Sequence, residues 1–228
     1  RKFMSAARAA ARNKPVIVVR WLPPGAGAAG GRAAERTSKS ASDRTAGHTS
    51  DQVYDAAFAR AGMLRVATLQ DMLLAAETLV RFRANRSERL LIVGNGGGAT
   101  ALAAQAAARA GVRLAAVPQA TLDALRPLLA ACATPSAAPA PLRLRSDATP
   151  AQVALALQSL AEAAGSAALL LVHAPTANLP SEPVARALLP LAQLTPPRLI
   201  GCWLGYAAVA EARRVFQQAG MPSYATPE

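Results

Sequence analysis

The stretch from Arg89 to Ala110, RLLIVGNGGGATALAAQAAARA, constrains the fold more than any other part of the chain. A short apolar run, Leu90–Val93, meets Gly94-Asn95-Gly96-Gly97-Gly98 directly, and Ala99–Ala110 then continues without Pro or Gly. That order describes a buried parallel strand, a glycine turn and a helix opening at the turn. Glycines there let the backbone come close to a ligand, and the start of a helix presents unpaired N–H groups to an anion. The candidate phosphate or anion-binding set is Gly94, Asn95, Gly96, Gly97, Gly98, Ala99 and Thr100. The same glycines would equally serve a tight turn that only packs helix on strand, so the residues alone leave both readings open.

The rest of the chain repeats this alternation. Residues 2–12 have high helix propensity and stop at Asn13-Lys14-Pro15, before the β-branched run Val16–Val19. From Trp21 to Thr49 the composition turns to Pro, Gly, Ala, Ser, Thr and charge, a length that marks a functional or partly disordered loop. Ser50-Asp51 reads as the N-cap of a helix over Gln52–Ala61 closed by Gly62, and Met63–Val66 as a strand. Thr68 caps a helix over Leu69–Arg83, with Leu69, Met72, Leu73, Ala76 and Leu79 on one face. The polar stretch 84–88 places a domain boundary between 84 and 85. Further on, strands are expected at Arg113–Val117, Ala167–His173, Arg198–Leu204 and Pro222–Tyr224. Helices are expected at Gln119–Ala131, from Thr149-Pro150 to Ala164, at Ser181–Leu194 and at Ala207–Ala219, with a loop over 134–146. Such βαβ units predict an α/β fold, a parallel flavodoxin-like sheet in a three-layer αβα arrangement, with ligands at the carboxyl ends of the strands. His173 and Trp203 stand at two further strand ends and are candidate crevice residues. In such places each is commonly a spacer or core residue instead.

Composition narrows the classes. The hydrophobic share of 52% allows a real core, but with aromatics at 4% that core must be Ala, Leu and Val. The net charge of +12 suggests a polyanion partner. Against it, Lys occurs only at Lys2, Lys14 and Lys39, and the Arg residues are scattered without interleaved aromatics, so no specific nucleic-acid site is expected. Cys132 and Cys202 match no metal or redox spacing, which points to free thiols in a reducing cytoplasm and to no metal site. No apolar run reaches the length of a bilayer span, so no membrane partner is expected. Residues 1–20 are Arg-rich and acid-poor like a transit peptide, but Arg1 opens directly into a helix-strand pattern, as in a fragment of a longer protein.

Six blocks in order carry a family resemblance: RKFMSAARAAARNKPVIVV, SDQVYDAAFARAGMLRV, LIVGNGGGATALAAQAA, LLVHAPTA, GCWLG and AEARRVFQQAGMPSYATPE. They resemble the nucleoside-diphosphate-forming acyl-CoA synthetases, which are succinyl-CoA synthetase-like. They are most similar to the bacterial protein lysine acetyltransferases that fuse such a region to a GNAT domain. The resemblance implies that residues 1–84 are the C-terminal part of a first succinyl-CoA-ligase-like flavodoxin domain and 85–228 a second, CoA-ligase one. It implies partners within the same polypeptide: a CoA-binding Rossmann domain, an ATP-grasp domain and GNAT, with a homo-oligomer also open. No cofactor is expected in this fragment, which should not catalyse alone. CoA or acyl-CoA, and ATP or ADP, belong to the full-length protein.

The family's synthetases carry phosphate on a histidine. Its spacing from Gly31-Arg32 puts that histidine at Asp43, and counting back without gaps from Ser50-Asp51 gives the same position. His48 could serve only with gaps against both anchors. The family's Lys-Ser-Gly-Arg is Arg20-Trp21 followed by an insertion, and its Asn-Pro-Val-Asp is Ala140-Pro141-Leu142-Arg143. Gly96, Gly97 and Gly98 match one wall of the family's phosphate cradle. The expectation is a regulatory, acyl-CoA-related region that keeps the cradle and has lost the relay. The alternatives are an active synthetase region with His48 as phosphoryl carrier, and a structural or assembly module without a ligand.

Overall fold

Short β-branched and leucine-rich runs, each followed by an alanine-rich helix, set the architecture throughout. The computed structural model describes residues 2–19, 46–82, 87–130 and 139–227, with main chain alone at residue 2 and over 46–53. The chain packs as two units, Arg1–Leu79 and Val80–Glu228. The boundary expected between 84 and 85 lies outside the described residues, as does most of the expected loop over 21–49.

In the first unit, α1 (Lys2–Asn13) ends before Pro15, whose missing N–H cannot continue the helix, and β1 (Ile17–Val19) follows. After α2 (Ala46–Ala61), β2 (Leu64–Val66) lies parallel to β1, with Ile17 opposite Leu64. Phe58 anchors the packing: it is buried, takes the edge of Phe3 at 6.5 Å between centroids, and lies 6.2 Å from Tyr54. Gly62 closes α2 with φ +76°, a left-handed conformation that a Cβ would strain. Its N–H donates to Ala59 O at 3.0 Å and the next, Met63 N–H, to Phe58 O at 3.0 Å, a Schellman closure. The same pair of bonds closes helices at Gly111 and Gly220. α3 (Leu69–Arg81) opens on a reciprocal cap, Thr68 N–H donating to Asp71 Oδ2 at 3.1 Å and Asp71 N–H to Thr68 Oγ1 at 3.0 Å.

The second unit holds β3 (Arg89–Gly94), α4 (Gly97–Arg109), β4 (Arg113–Leu114), α5 (Gln119–Leu125), β5 (Leu142–Arg143) and α6 (Pro150–Ala163). These are followed by β6 (Ala168–His173), α7 (Ser181–Ala187), β7 (Leu199–Trp203), α8 (Ala210–Gln218) and β8 (Ser223–Tyr224). All the strand pairs are parallel. The order is β4-β3-β6-β7-β8, with β5 also on β3. Setting the short β5 aside, that is the 2-1-3-4-5 order of a flavodoxin-like sheet. Alternation along the strands feeds two cores. Leu91, Val93, Leu169, Leu171 and Trp203 face a layer that includes Leu125, Leu157, Val184 and Phe216 from α5, α6, α7 and α8. Ile92, Val172 and Cys202 face Ala103 and Ala107 of α4. Methyl-sized side chains there let α4 sit close on the sheet, where its N terminus meets the end of β3.

Several boundaries differ from the sequence expectation. α2 begins at Ala46, upstream of the expected Ser50-Asp51 cap. Ser42, Asp43 and Thr45 are equally good cap types further upstream, so composition does not choose among them. The helix expected over Gln119–Ala131 stops at Leu125 and tightens into a 3-10 turn at Arg126–Leu128, and that over Ser181–Leu194 stops at Ala187 before Leu189–Gln193. Pro127 and Pro190 remove the N–H that an α-helix needs at these points. On α3, Met72 and Leu79 of the expected face are half-buried, but Leu69, Leu73 and Ala76 are exposed, and Leu74 and Ala75 are half-buried in their place. The helix carries apolar residues on more than one stripe, and periodicity does not say which one packs. The expected loop over 134–146 contains β5, whose Leu142 and Arg143 pair with Val93 and Gly94.

Candidate anion site at the carboxyl ends of the strands

From β3 the chain goes to β4 on one side and later returns to β6 on the other, so the strand order reverses between β3 and β6. In parallel α/β sheets such a reversal opens a crevice at the carboxyl ends. Here it lies between Gly94 and Ala174. Gly94 has no room for a side chain: a Cβ would stand 2.4 Å from Val172 O and 2.6 Å from Thr100 Cγ2. Asn95 then spans the gap. Its Nδ2 donates to Ala174 O at 2.6 Å, its Oδ1 accepts from Ala174 N–H at 2.8 Å, and its own N–H donates to Val172 O at 3.3 Å.

α4 starts earlier than the sequence suggests. Gly96 is its N-cap in extended conformation, without a side-chain cap, and Gly97 and Gly98 form its first turn. The first main-chain bond is Thr100 N–H to Gly96 O at 3.0 Å, so the N–H groups of Gly97, Gly98 and Ala99 have no intrahelical partner. The Thr100 hydroxyl is buried and donates back to Gly96 O and Gly97 O at 3.0 and 2.9 Å, so its proton is committed to the turn. Gly98 is open, with nothing within 4 Å of a built Cβ. Above Gly97 lies Arg143: a Cβ there would be 3.0 Å from Arg143 Nη1 and 3.5 Å from its Cδ. Arg143 is exposed and has no carboxylate partner among the described residues. Uncapped N–H groups and the positive end of the helix dipole thus share one small surface with a guanidinium, a combination suited to a phosphate or carboxylate.

Sequence reasoning missed Arg143, because residues 134–146 read as a loop. The signal available was the charge reversal at the last position of Ala140-Pro141-Leu142-Arg143. His173 and Trp203, expected to line the crevice, lie in the main core at 1% and 0% exposure. Odd-numbered positions of β6 and β7 point to the layer of α5–α8, which closes over them. Trp203 receives His173 edge-on at 5.2 Å and Phe216 at 4.8 Å. Neither His173 Nε2 nor Trp203 Nε1 has a hydrogen-bond partner among the described residues. Burial pushes the imidazole down to about 4 and the Cys202 thiol up to about 11, with Arg213 opposing the latter. Arg213 Nη2 donates to Trp203 O at 2.8 Å and Gly205 O at 3.3 Å, fixing the end of β7.

His48 lies on the helical main chain of α2 with its side chain outside the described residues, and Asp43 lies wholly outside them. Among the described residues no cluster of three or more His, Cys, Asp or Glu could hold a metal, and no helix is long and apolar enough to cross a membrane. A separate hollow, lined by Ser87, Glu88, Arg89, Arg113 and Ser166, sits at the amino ends of β3 and β4. A parallel sheet does not place its ligand there.

The strand order and the paired layers define a flavodoxin-like α/β protein of the kind found in succinyl-CoA ligase-like domains. Residues 1–79 match the model of the succinyl-CoA ligase like flavodoxin domain. The whole chain is similar to the ADP-forming acetate–CoA ligase I of Archaeoglobus fulgidus, 28% identical over 227 residues, covering 100% of this chain and 30% of the relative. Over 115 residues, 50% of this chain and 23% of the relative, it is 33% identical to the alpha subunit of the Pyrococcus furiosus ADP-forming acetate–CoA ligase I. The dinucleotide-forming acetyl-coenzyme A synthetase 1 of Ca. Korarchaeum cryptofilum, solved with phosphate and ADP, superposes with a TM-score of 0.74. That match is 20% identical and covers 99% of this chain and 46% of the other, a likeness of fold. The chain therefore spans less than half the length of each of these relatives. Those named are archaeal CoA ligases, and none is described as an acetyltransferase.

Proposed function

We propose that this chain is a region of a larger acyl-CoA synthetase-like protein. In this reading its second unit binds a phosphate-bearing ligand, CoA, acyl-CoA or a nucleotide, at the start of α4 and senses that ligand without transferring its phosphate. One observation carries the reading: the uncapped turn Gly97–Ala99 with the Arg143 guanidinium lying across Gly97. The helix end contributes about half a positive charge and the arginine a full one. The sensing part rests on Asp43, which stands where the resemblance expects a phosphoryl-carrying histidine and whose carboxylate would repel phosphate. The CoA-binding Rossmann, ATP-grasp and GNAT partners, a bacterial cytoplasmic setting and acetyltransferase activity belong to the same proposal and rest on the sequence blocks alone. The second reading is an active NDP-forming acyl-CoA synthetase region with His48 as phosphoryl carrier.

Titration calorimetry of this chain with inorganic phosphate, CoA and ADP tests the site. Binding is expected to weaken by about tenfold or more in Arg143→Glu and to survive in part in Arg143→Lys. No binding by any of the three would leave a structural module. Incubating full-length protein with radiolabelled ATP separates the two chemical readings. An acid-labile label lost in His48→Ala would establish the relay.

A further inference from the structure

Asn95 sits where the chain leaves β3 for the glycine turn, beside the end of β6. Its side-chain amide donates to Ala174 O at 2.6 Å and accepts from Ala174 N–H at 2.8 Å. These two bonds continue the attachment of β3 to β6 one step beyond the strand ends, past the last main-chain pair, Gly94 and Val172. The side chain thus acts as an extra rung of the sheet. Beneath it, Gly94 leaves no room for a side chain, since a Cβ there would stand 2.4 Å from Val172 O. Beyond it, Gly96 faces Ala174 Cβ, 3.6 Å from where its own Cβ would be. The crevice is therefore filled from strand to turn by protein, and the Thr100 hydroxyl fastens the other side of the turn to Gly96 and Gly97.

We propose that Asn95 is a positioning and specificity residue: it latches the glycine turn to the end of β6, so the site accepts a compact anion above the turn and excludes a planar ring from between the strands. The proposal rests on the anion-binding reading of the α4 start, which it deepens by naming what cannot enter. One N–H and one lone pair of the amide are engaged at Ala174, which holds the side chain against β6, and Asn95 acts through the geometry of the N–H groups that follow it. Aspartate in its place would keep the acceptor for Ala174 N–H but set a carboxylate oxygen against Ala174 O, where no proton is available. The latch would open, and its charge would oppose an arriving anion.

Residue-resolved hydrogen exchange on the full chain tests the latch, together with titration by inorganic phosphate and by AMP. In the wild type, the Ala174 amide is expected to exchange as slowly as those of Val172 and His173. In Asn95→Asp and in Asn95→Ser it is expected to exchange about tenfold faster or more, with the α6 amides unchanged. Phosphate affinity is expected to fall in both variants, further in the aspartate. AMP is expected to bind the wild type no more than about threefold more tightly than phosphate. Free exchange of the Ala174 amide in the wild type overturns the latch even if both variants fail to fold, and so does exchange within about twofold of wild type in a folded variant. AMP binding tenfold tighter than phosphate, with a shift of the Asn95 amide resonances, overturns the exclusion of a ring. If phosphate does not bind the wild type at all, the anion-binding reading falls by itself, and Ala174 exchange still decides the latch.

Discussion

Phe216 on α8 fills the space above Gly201 on β7: a Cβ at position 201 would lie 2.7 Å from Phe216 Cε1 and 2.5 Å from Trp203 Nε1. Both rings are fully buried, so neither can swing into solvent to make room. Gly201→Ala is expected to destabilise the second unit by about 1–3 kcal/mol through overpacking, despite the gain in strand propensity. A urea denaturation midpoint equal to or above wild type would contradict the packing described.

Thr149 and Gln152 cap α6 reciprocally, Thr149 N–H donating to Gln152 Oε1 at 2.8 Å and Gln152 N–H to Thr149 Oγ1 at 3.3 Å. α6 supplies Val153, Ala156, Leu157, Leu160 and Ala161 to the main core, so its first turn supports packing as well as helix formation. Thr149→Ala is expected to cost about 0.5–2 kcal/mol and Thr149→Ser much less. Equal denaturation midpoints for the two variants would remove the hydroxyl from the account.

His173 makes stability depend on pH. In the unfolded chain the imidazole takes up its proton as pH falls through its ordinary 6.5, whereas burial in the fold delays protonation to about 4. Between those values the unfolded state binds more protons. Stability therefore falls on acidification through that window and is insensitive to this group above it. The whole span amounts to roughly 3 kcal/mol. Wild type is expected to lose more stability than His173→Leu between pH 7.5 and 4.5, measured by urea denaturation. Parallel losses would mean that the ring is not held neutral.

Cys202 lies at 1% exposure between the sheet and α4, with its thiol pushed up to about 11. Thiolate is the reactive form, so the residue is expected to resist iodoacetamide at pH 8 in the folded chain and to react fully in urea. Mass spectrometry of the peptide containing Cys202 reads this directly. Rapid native labelling would show that α4 lifts from the sheet.

What could be read from sequence, and what could not, divides along physical lines. Leu90–Val93 ahead of the glycines, Thr68 and Thr149 as caps, and Gly62 as a stop all depend on neighbours within a turn or two, and each appears in the structure as expected. The helix breaks at Pro127 and Pro190 were equally local, and the proline rule applied there would have found them. β5 was hidden because two residues, Leu142 and Arg143, become a strand only by lying beside Val93 and Gly94, far away in the chain. The candidate site shares that division. Its glycines were visible as a motif, but Arg143 reaches Gly97 only through that pairing, and the Asn95 amide is engaged only because Ala174 arrives beside it. His173 and Trp203 looked like crevice residues because they end strands, and only the side of the sheet they face puts them in the core.

The Schellman closures at Gly62 and Gly111 have a consequence for how this chain can vary in length. Each is followed by a strand that begins two residues later, at Leu64 and at Arg113, with almost no slack between helix and sheet. One residue inserted there would turn the strand over and exchange its inward and outward side chains. At these two joins the amino ends of β2 and β4 therefore tolerate neither insertion nor deletion. Added sequence is absorbed more easily where a connection is longer, as at 174–180, which leaves β6 at the end of the sheet that carries Gly97 and Arg143.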